Sequence, residues 1–114
     1  MTQARRALGI AGEEQAARWY EANGYEVVAR NWRCREGELD LVVRRNRIIV
    51  FCEVKTRASD VFGSPAEAVN YTKRQRLRVL AAKWLEDFPI RPREIRFDVV
   101  SVIGTDVQVL EGAF

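Results

Sequence analysis

The chain has 114 residues, with 19 basic and 16 acidic side chains, no histidine and a formal net charge of +3. A composition of 47% hydrophobic and 31% charged residues excludes a disordered chain and a fibrous repeat, and the length fits a single domain over residues 1–114. No apolar run approaches the ~18 residues of a transmembrane helix, so no membrane partner is expected. The opening MTQARRALGIAGEE has too short an apolar stretch for a signal peptide, which points to the cytoplasm.

The missing histidine removes Ser–His–Asp triads, zincin motifs and imidazole general bases. Cys34 and Cys52 lack the CxxC spacing of structural zinc. A metal in this chain would be held by carboxylates, which selects a hard ion such as Mg²⁺ or Mn²⁺. The basic residues are 16 Arg to 3 Lys, so each lysine position is informative.

In chain order, residues 7 to 23 read as a helix, with Leu8, Gly12, Ala16, Trp19 and Tyr20 at helical spacing and Asn23-Gly24 as its C-terminal cap. Three strand-like runs follow at 25–32, 38–43 and 47–55. Glu36-Gly37 and Arg45-Asn46 mark turns between them, so the spacing predicts an antiparallel meander. Ser64-Pro65-Ala66-Glu67 reads as a capping box, and Thr72 to Gln75 as a second candidate start of a long helix. Leu77, Leu80, Ala81, Trp84, Leu85 and Phe88 form that helix's buried stripe, and Pro89 and Pro92 end it. A strand over 94–103 and a short edge strand over 107–110 complete an α-β-β-β-α-β-β order around a mixed sheet. Residues 57–64 form the one long loop.

The chemistry concentrates in two segments. In Gly37-Glu38-Leu39-Asp40-Leu41, strand alternation places Glu38 and Asp40 on one face, and Leu39 and Leu41 on the other. In Val50-Phe51-Cys52-Glu53-Val54-Lys55, Glu53 and Lys55 share a face at the end of a strand that is apolar on both sides, the mark of a central strand. Charges there cost several kcal/mol, on the order of a buried ion, unless paired or bound to an ion. The hairpin brings Asp40 beside Glu53. Two carboxylates and a lysine so placed suit a Mg²⁺ site, with Lys55 orienting water and stabilising phosphoryl charge. They equally suit a buried ion pair, and spacing alone leaves both open.

Glu13, beside small Gly12, lies on the side of Ala16, Ala17 and Tyr20. Glu14 lines up with Arg18 and Glu21 on the solvent side. Glu13 is thus a candidate third carboxylate or a boundary residue. Lys73 lies above Leu77 and Leu80 and faces the sheet, where it would reinforce anion binding. Arg74, Arg76, Arg78 and Lys83 make the outer face of that helix basic, either a phosphate-binding patch or a solvated surface. Arg57 is a further phosphate candidate. Trp32, with Arg30 and Arg33, suits base stacking or core packing. Cys52 lies opposite Glu53 and reads as core.

Gly12-Glu13 in a first helix, GELDL at 37–41, FCEVKTR at 51–57, Lys73 opening a helix and RFDVV at 96–100 together resemble the YraN-type family. That family is regarded as related to the Holliday-junction resolvases within the PD-(D/E)xK nuclease superfamily. The resemblance covers nearly the whole chain. It implies a three-layer, restriction-endonuclease-like αβββαβ core with a mixed central sheet. It implies catalytic roles for Asp40, Glu53 and Lys55, with Glu13 as the helix carboxylate and Lys73 as a basic residue beside the site. Asp40, Glu53 and Glu13 would carry Mg²⁺ or Mn²⁺, and Arg57, Lys73, Arg74 and Arg76 would hold DNA. The expected function is metal-dependent endonucleolytic cleavage of branched or structured DNA. The alternative is a non-catalytic DNA-binding accessory protein on the same fold. Junction resolvases are dimers because two symmetric cuts need two sites, so the resemblance also implies a homodimer.

Overall fold

The computed structural model describes residues 3–57 and 70–114. Helix α1 (Gln3–Ala22) is followed by strands β1 (Glu26–Cys34), β2 (Gly37–Arg45) and β3 (Ile48–Arg57), helix α2 (Tyr71–Glu86), and strands β4 (Glu94–Ile103) and β5 (Asp106–Leu110). The strands form one mixed sheet in the order β1-β2-β3-β4-β5. Strands β1, β2 and β3 are an antiparallel meander, β3 and β4 run parallel with α2 between them in sequence, and β5 returns antiparallel at the edge.

The apolar alternation of β3 produces the layers. Val50 and Cys52 pack on one face with Ala16, Ala17 and Tyr20 of α1. Ile49 and Phe51 pack on the other with Leu77, Leu80, Ala81 and Trp84 of α2. A helix therefore covers each face, and β3 is central, as its two-sided apolar character requires. Among the described residues, no helix is long and apolar enough to cross a membrane.

Several boundaries differ from the sequence reading. Helix α1 begins at Gln3 instead of residue 7. Its end is as expected: Gly24 takes φ +88°, and the Tyr25 N–H closes on the Tyr20 carbonyl at 2.9 Å. Helix α2 is capped by Asn70, whose side chain accepts from the Lys73 N–H, so Thr72 and Gln75 lie inside the helix and form no capping box. The Ser64–Glu67 box and most of the 57–64 loop lie outside the described residues.

The largest correction concerns β2. Leu39 and Leu41 do not share a face: Leu39 packs against α2 and Leu41 against α1. The cause lies in β1. Asn31 adopts φ +47°, in the left-handed region, and sits between the ladder pairs Arg30–Leu41 and Trp32–Leu39, opposite Asp40. This local twist turns the strand pair over by one residue and breaks the two-residue alternation.

Candidate active site

The sheet itself opens at one end. Strands β2 and β3 pair only as far as Leu41 with Cys52, although β2 begins at Gly37 and β3 runs on to Arg57 beside β4. One step past the last pair, Asp40 comes abreast of Glu53. Asp40 Oδ2 accepts the Val54 N–H at 2.9 Å, so the carboxylate takes up a backbone donor at the point where the strands part.

Glu53 is 7% exposed and points to the α2 side. Its Oε1 lies 2.6 Å from Lys73 Nζ and 3.3 Å from Lys55 Nζ. Lys73 reaches it from the first turn of α2, which the Asn70 cap anchors. On the α1 side, Glu13 and Asp40 line a cavity of about 100 Å³ with Ile10, Glu14, Arg30, Asn31 and Leu41. Glu13 can sit there because α1 approaches β3 closely at Gly12: a Cβ at that position would fall 2.0 Å from Thr56 Oγ1. The site therefore spans the sheet, with α1 supplying an acid on one side and α2 a base on the other.

Its electrostatics are those of crowded carboxylates. Burial, and then the charge of Glu53, push Asp40 up to about 7, with Glu13 and Glu38 adding to the repulsion. Burial also raises Glu13, against the lowering influence of the nearby Asn31 amide. Burial and the neighbouring Lys73 lower Lys55. Burial works against the Lys73 charge, but the bond and charge of Glu53, with Lys55 and Asp40, together raise it.

The sequence-derived set thus divides in two. Asp40, Glu53, Lys55, Lys73 and Glu13 act on one another electrostatically at the open end of the sheet. Arg57 ends β3 and is half-buried. Arg74 and Arg76 fall on opposite flanks of α2. The Arg74 guanidinium lies 5.3 Å from the Phe114 ring centre, and Arg78 stacks on the same ring at 5.5 Å. The Arg76 stem lies beside Gly37 at the start of β2, and Lys83 pairs with Glu36 of the β1–β2 turn at 3.4 Å. The basic face is therefore parted around the helix. Trp32 is half-buried against the α2 core and lines a cavity of about 130 Å³ with Trp84, Asp87 and Phe88. Cys52 is core, as expected.

Contacts of Asn31, Glu14 and Asp98 went beyond what sequence reasoning reached. Asn31 lies opposite Asp40 and lines the cavity with Glu13; a small polar residue that tolerates positive φ inside a strand-like run was the available signal. Glu14 lies on the solvent side and pairs with Arg18 at 3.3 Å, as its alignment implied, but it also bridges Arg30 at 2.6 Å and borders the cavity. Asp98 is fully buried, and accepts from the Tyr20 hydroxyl at 2.6 Å, from Arg96 and from the Gly112 N–H.

Among the described residues, no three His, Cys, Asp or Glu side chains converge into a ready-made metal cage. The donor chemistry nevertheless fits a hard cation. Asp40 is repelled by three other carboxylates, an excess that a divalent ion would relieve. Mg²⁺ is commonly held by only one or two carboxylates, with water and substrate oxygens completing the shell.

Fold and site together define an α/β domain with a carboxylate–lysine cluster at the parted ends of two central strands. The chain belongs to the uncharacterised protein family UPF0102, whose model matches residues 12–102 and so takes in every residue of that cluster. It is similar to UPF0102 proteins of Beutenbergia cavernae (56% identical, covering 90% of this chain and 86% of the relative) and Frankia alni (53%, covering 97% of each). A UPF0102 protein of Nocardia farcinica is 56% identical over 89% of this chain and 80% of its own length.

Proposed function

We propose that the protein is a metal-dependent DNA endonuclease that hydrolyses phosphodiester bonds in branched or structured DNA. The observation that carries the reading is the convergence of Asp40, Glu53 and Lys55 where β2 and β3 part, with Lys73 bound to Glu53. The YraN-type resemblance to junction-resolvase relatives supports it. Asp40 and Glu53 would hold Mg²⁺ or Mn²⁺, with Glu13 as the third carboxylate. When bound, the ion supplies positive charge to phosphate oxygens and acidifies water. Lys55, whose ammonium is weakened by burial and by Lys73, orients the attacking water and offsets charge on the phosphoryl oxygens. Lys73 fixes the Glu53 carboxylate. Arg57, Arg74 and Arg76 contact the phosphate backbone, and binding weakens steeply with salt.

A second reading has its own observation: Glu53 Oε1 already meets two lysines, so the cluster is partly neutralised without metal. On that reading the protein is a DNA-binding accessory that does not cut.

The test is cleavage of a labelled four-way junction, beside duplex and single-stranded DNA, with Mn²⁺ or with EDTA. The nuclease reading requires cutting with Mn²⁺, none with EDTA, and none by Asp40→Ala. Binding without cutting by either protein favours the accessory reading, and equal cutting by Asp40→Ala overturns the site assignment.

A further inference from the structure

One flank of α2 carries more than basic charge. Tyr71, Arg74 and Arg78 stand three and four residues apart, so they follow one another along the helix over about 10 Å. Tyr71 is 75% exposed, the most exposed large hydrophobic side chain among the described residues. Its side chain makes no hydrogen bond or ring contact with any of them. Next to it, the Arg74 guanidinium lies 5.3 Å from the Phe114 ring centre, and that of Arg78 lies 5.5 Å from Phe114 and 5.9 Å from Phe97. Phe114 is itself held on the sheet, stacked on Phe97 at 5.1 Å, with the Ala113 N–H bonded to the Phe97 carbonyl at 2.8 Å. Among the described residues, Arg78 pairs with no carboxylate, so its charge is fixed by stacking without being neutralised. A stacked guanidinium keeps its N–H edge for a phosphate. The strip begins at the site, because Tyr71 shares the first turn of α2 with Lys73, which holds Glu53 at 2.6 Å.

Phosphates alone would need only the arginines. An open aromatic ring among them suits a ligand that also has a flat, uncovered π-face. In a duplex the bases cover one another, whereas an unpaired strand leaves its bases free to stack on aromatic side chains beside a basic track. We infer that this flank of α2 binds an unpaired DNA strand, with Tyr71 stacking on a base and Arg74 and Arg78 holding phosphates of the same strand. The substrate class is then branched DNA with a single-stranded arm, led along α2 to the point where Lys73 meets Glu53. This deepens the DNA reading above and rests on it, but it depends on neither the metal nor the cut.

The test is binding in EDTA, where no cut intervenes. Fluorescence anisotropy follows a labelled oligothymidine of about 12 nucleotides, a blunt hairpin duplex and a splayed-arm duplex. The expected result is that Tyr71→Ala weakens single-strand binding about fivefold or more and leaves the blunt duplex unaffected. Tyr71→Phe keeps the ring and should bind as the parent does. Arg78→Gln should lower the slope of log affinity against log salt by about 0.7 for the single strand. The splayed-arm duplex should bind more tightly than the blunt one, and Tyr71→Ala should remove the difference. Arg93→Ala is the control: this exposed arginine precedes β4, which starts beside the opposite end of β3 from the site, and its loss should change none of these ratios. Thermal unfolding of each variant checks the fold, which Tyr71→Ala should leave intact. Unchanged single-strand affinity in Tyr71→Ala, or an equal loss for single strand and duplex, overturns the inference and leaves the nuclease reading standing. A parent that binds no DNA overturns both. Tyr71-dependent binding without metal-dependent cutting upholds the inference and removes only the nuclease.

Discussion

The Lys73 ammonium lies 2.6 Å from Glu53 Oε1 and ties the first turn of α2 to the end of the central strand β3. Glu53 is buried, and the Lys73 side chain keeps 31% of its exposure, so this contact is a partly solvated ion pair. Removing one partner of a fully buried pair costs about 3–5 kcal/mol, because the other charge is stranded. Lys55, at 3.3 Å, remains as a second partner for Glu53 and softens the loss. Lys73→Met is therefore expected to destabilise the protein by about 1–3 kcal/mol in urea unfolding. Lys73→Arg should restore part of that.

The crowding around Asp40 makes a pH prediction with a definite sign. Its carboxyl titrates near 3.8 in the unfolded chain and is pushed up to about 7 by burial and Glu53 in the folded protein. Between those values the folded state holds a proton that the unfolded chain has released. Metal-free stability from this group is thus greatest at low pH and falls as pH rises across the window, by at most about 4 kcal/mol. Asp40→Asn should flatten that dependence, so that the variant exceeds the parent in stability near neutral pH while losing cleavage. Denaturant titrations of both proteins in EDTA, from about pH 4 to pH 8, check this.

Gly12 is where α1 touches β3. A Cβ there would fall 2.0 Å from Thr56 Oγ1 and 2.9 Å from its Cβ, so rotating the threonine cannot relieve the clash completely. Gly12→Ala is expected to cost about 1–3 kcal/mol by overpacking, despite alanine's better helix propensity. Because Glu13 is the next residue, the same variant should bind Mn²⁺ more weakly. A melting temperature equal to the parent's would show that α1 can retreat freely.

The Tyr20–Asp98–Arg96 group joins α1 to β4 beneath the sheet's α1 face. Asp98 accepts the Tyr20 hydroxyl at 2.6 Å and two Arg96 nitrogens at 2.8 and 3.0 Å. Burial drives the Tyr20 hydroxyl far above its ordinary range, so it stays protonated and donates to Asp98. Asp98→Ala strands the hydroxyl and the guanidinium together, and about 3–5 kcal/mol of destabilisation is expected. Tyr20→Phe leaves Asp98 with its other donors and should cost about 1–2 kcal/mol. Chemical denaturation of the two variants should rank them in that order.

How far the site was legible in the chain follows from what local spacing controls. The two-sided apolar pattern of residues 48–54 marked β3 as central, and the Glu53–Lys55 spacing put both side chains on one face, since a strand repeats every two residues. Lys73 above Leu77 and Leu80 pointed to the sheet for the same kind of reason, with the helical period. Alternation failed at Leu39 and Leu41, because the left-handed Asn31 belongs to the neighbouring strand and its effect crosses the ladder. Arg74 and Arg76 read as one basic outer face of the helix, but lie some two residues of helical rotation apart, one toward Phe114 and one toward Gly37.

By itself, the sequence determined the element order, the central strand and the buried stripe of α2, and it nominated the candidate site residues. Each of these is governed by periodicity or by turn chemistry within a few residues. The tertiary structure alone decided where β2 and β3 part, which lysines share Glu53, that Arg30 pairs with Glu14, and that Asp98 is buried with Tyr20. These depend on contacts between groups as far apart as Tyr20 and Asp98, and on desolvation by the layers around them, which no local pattern encodes.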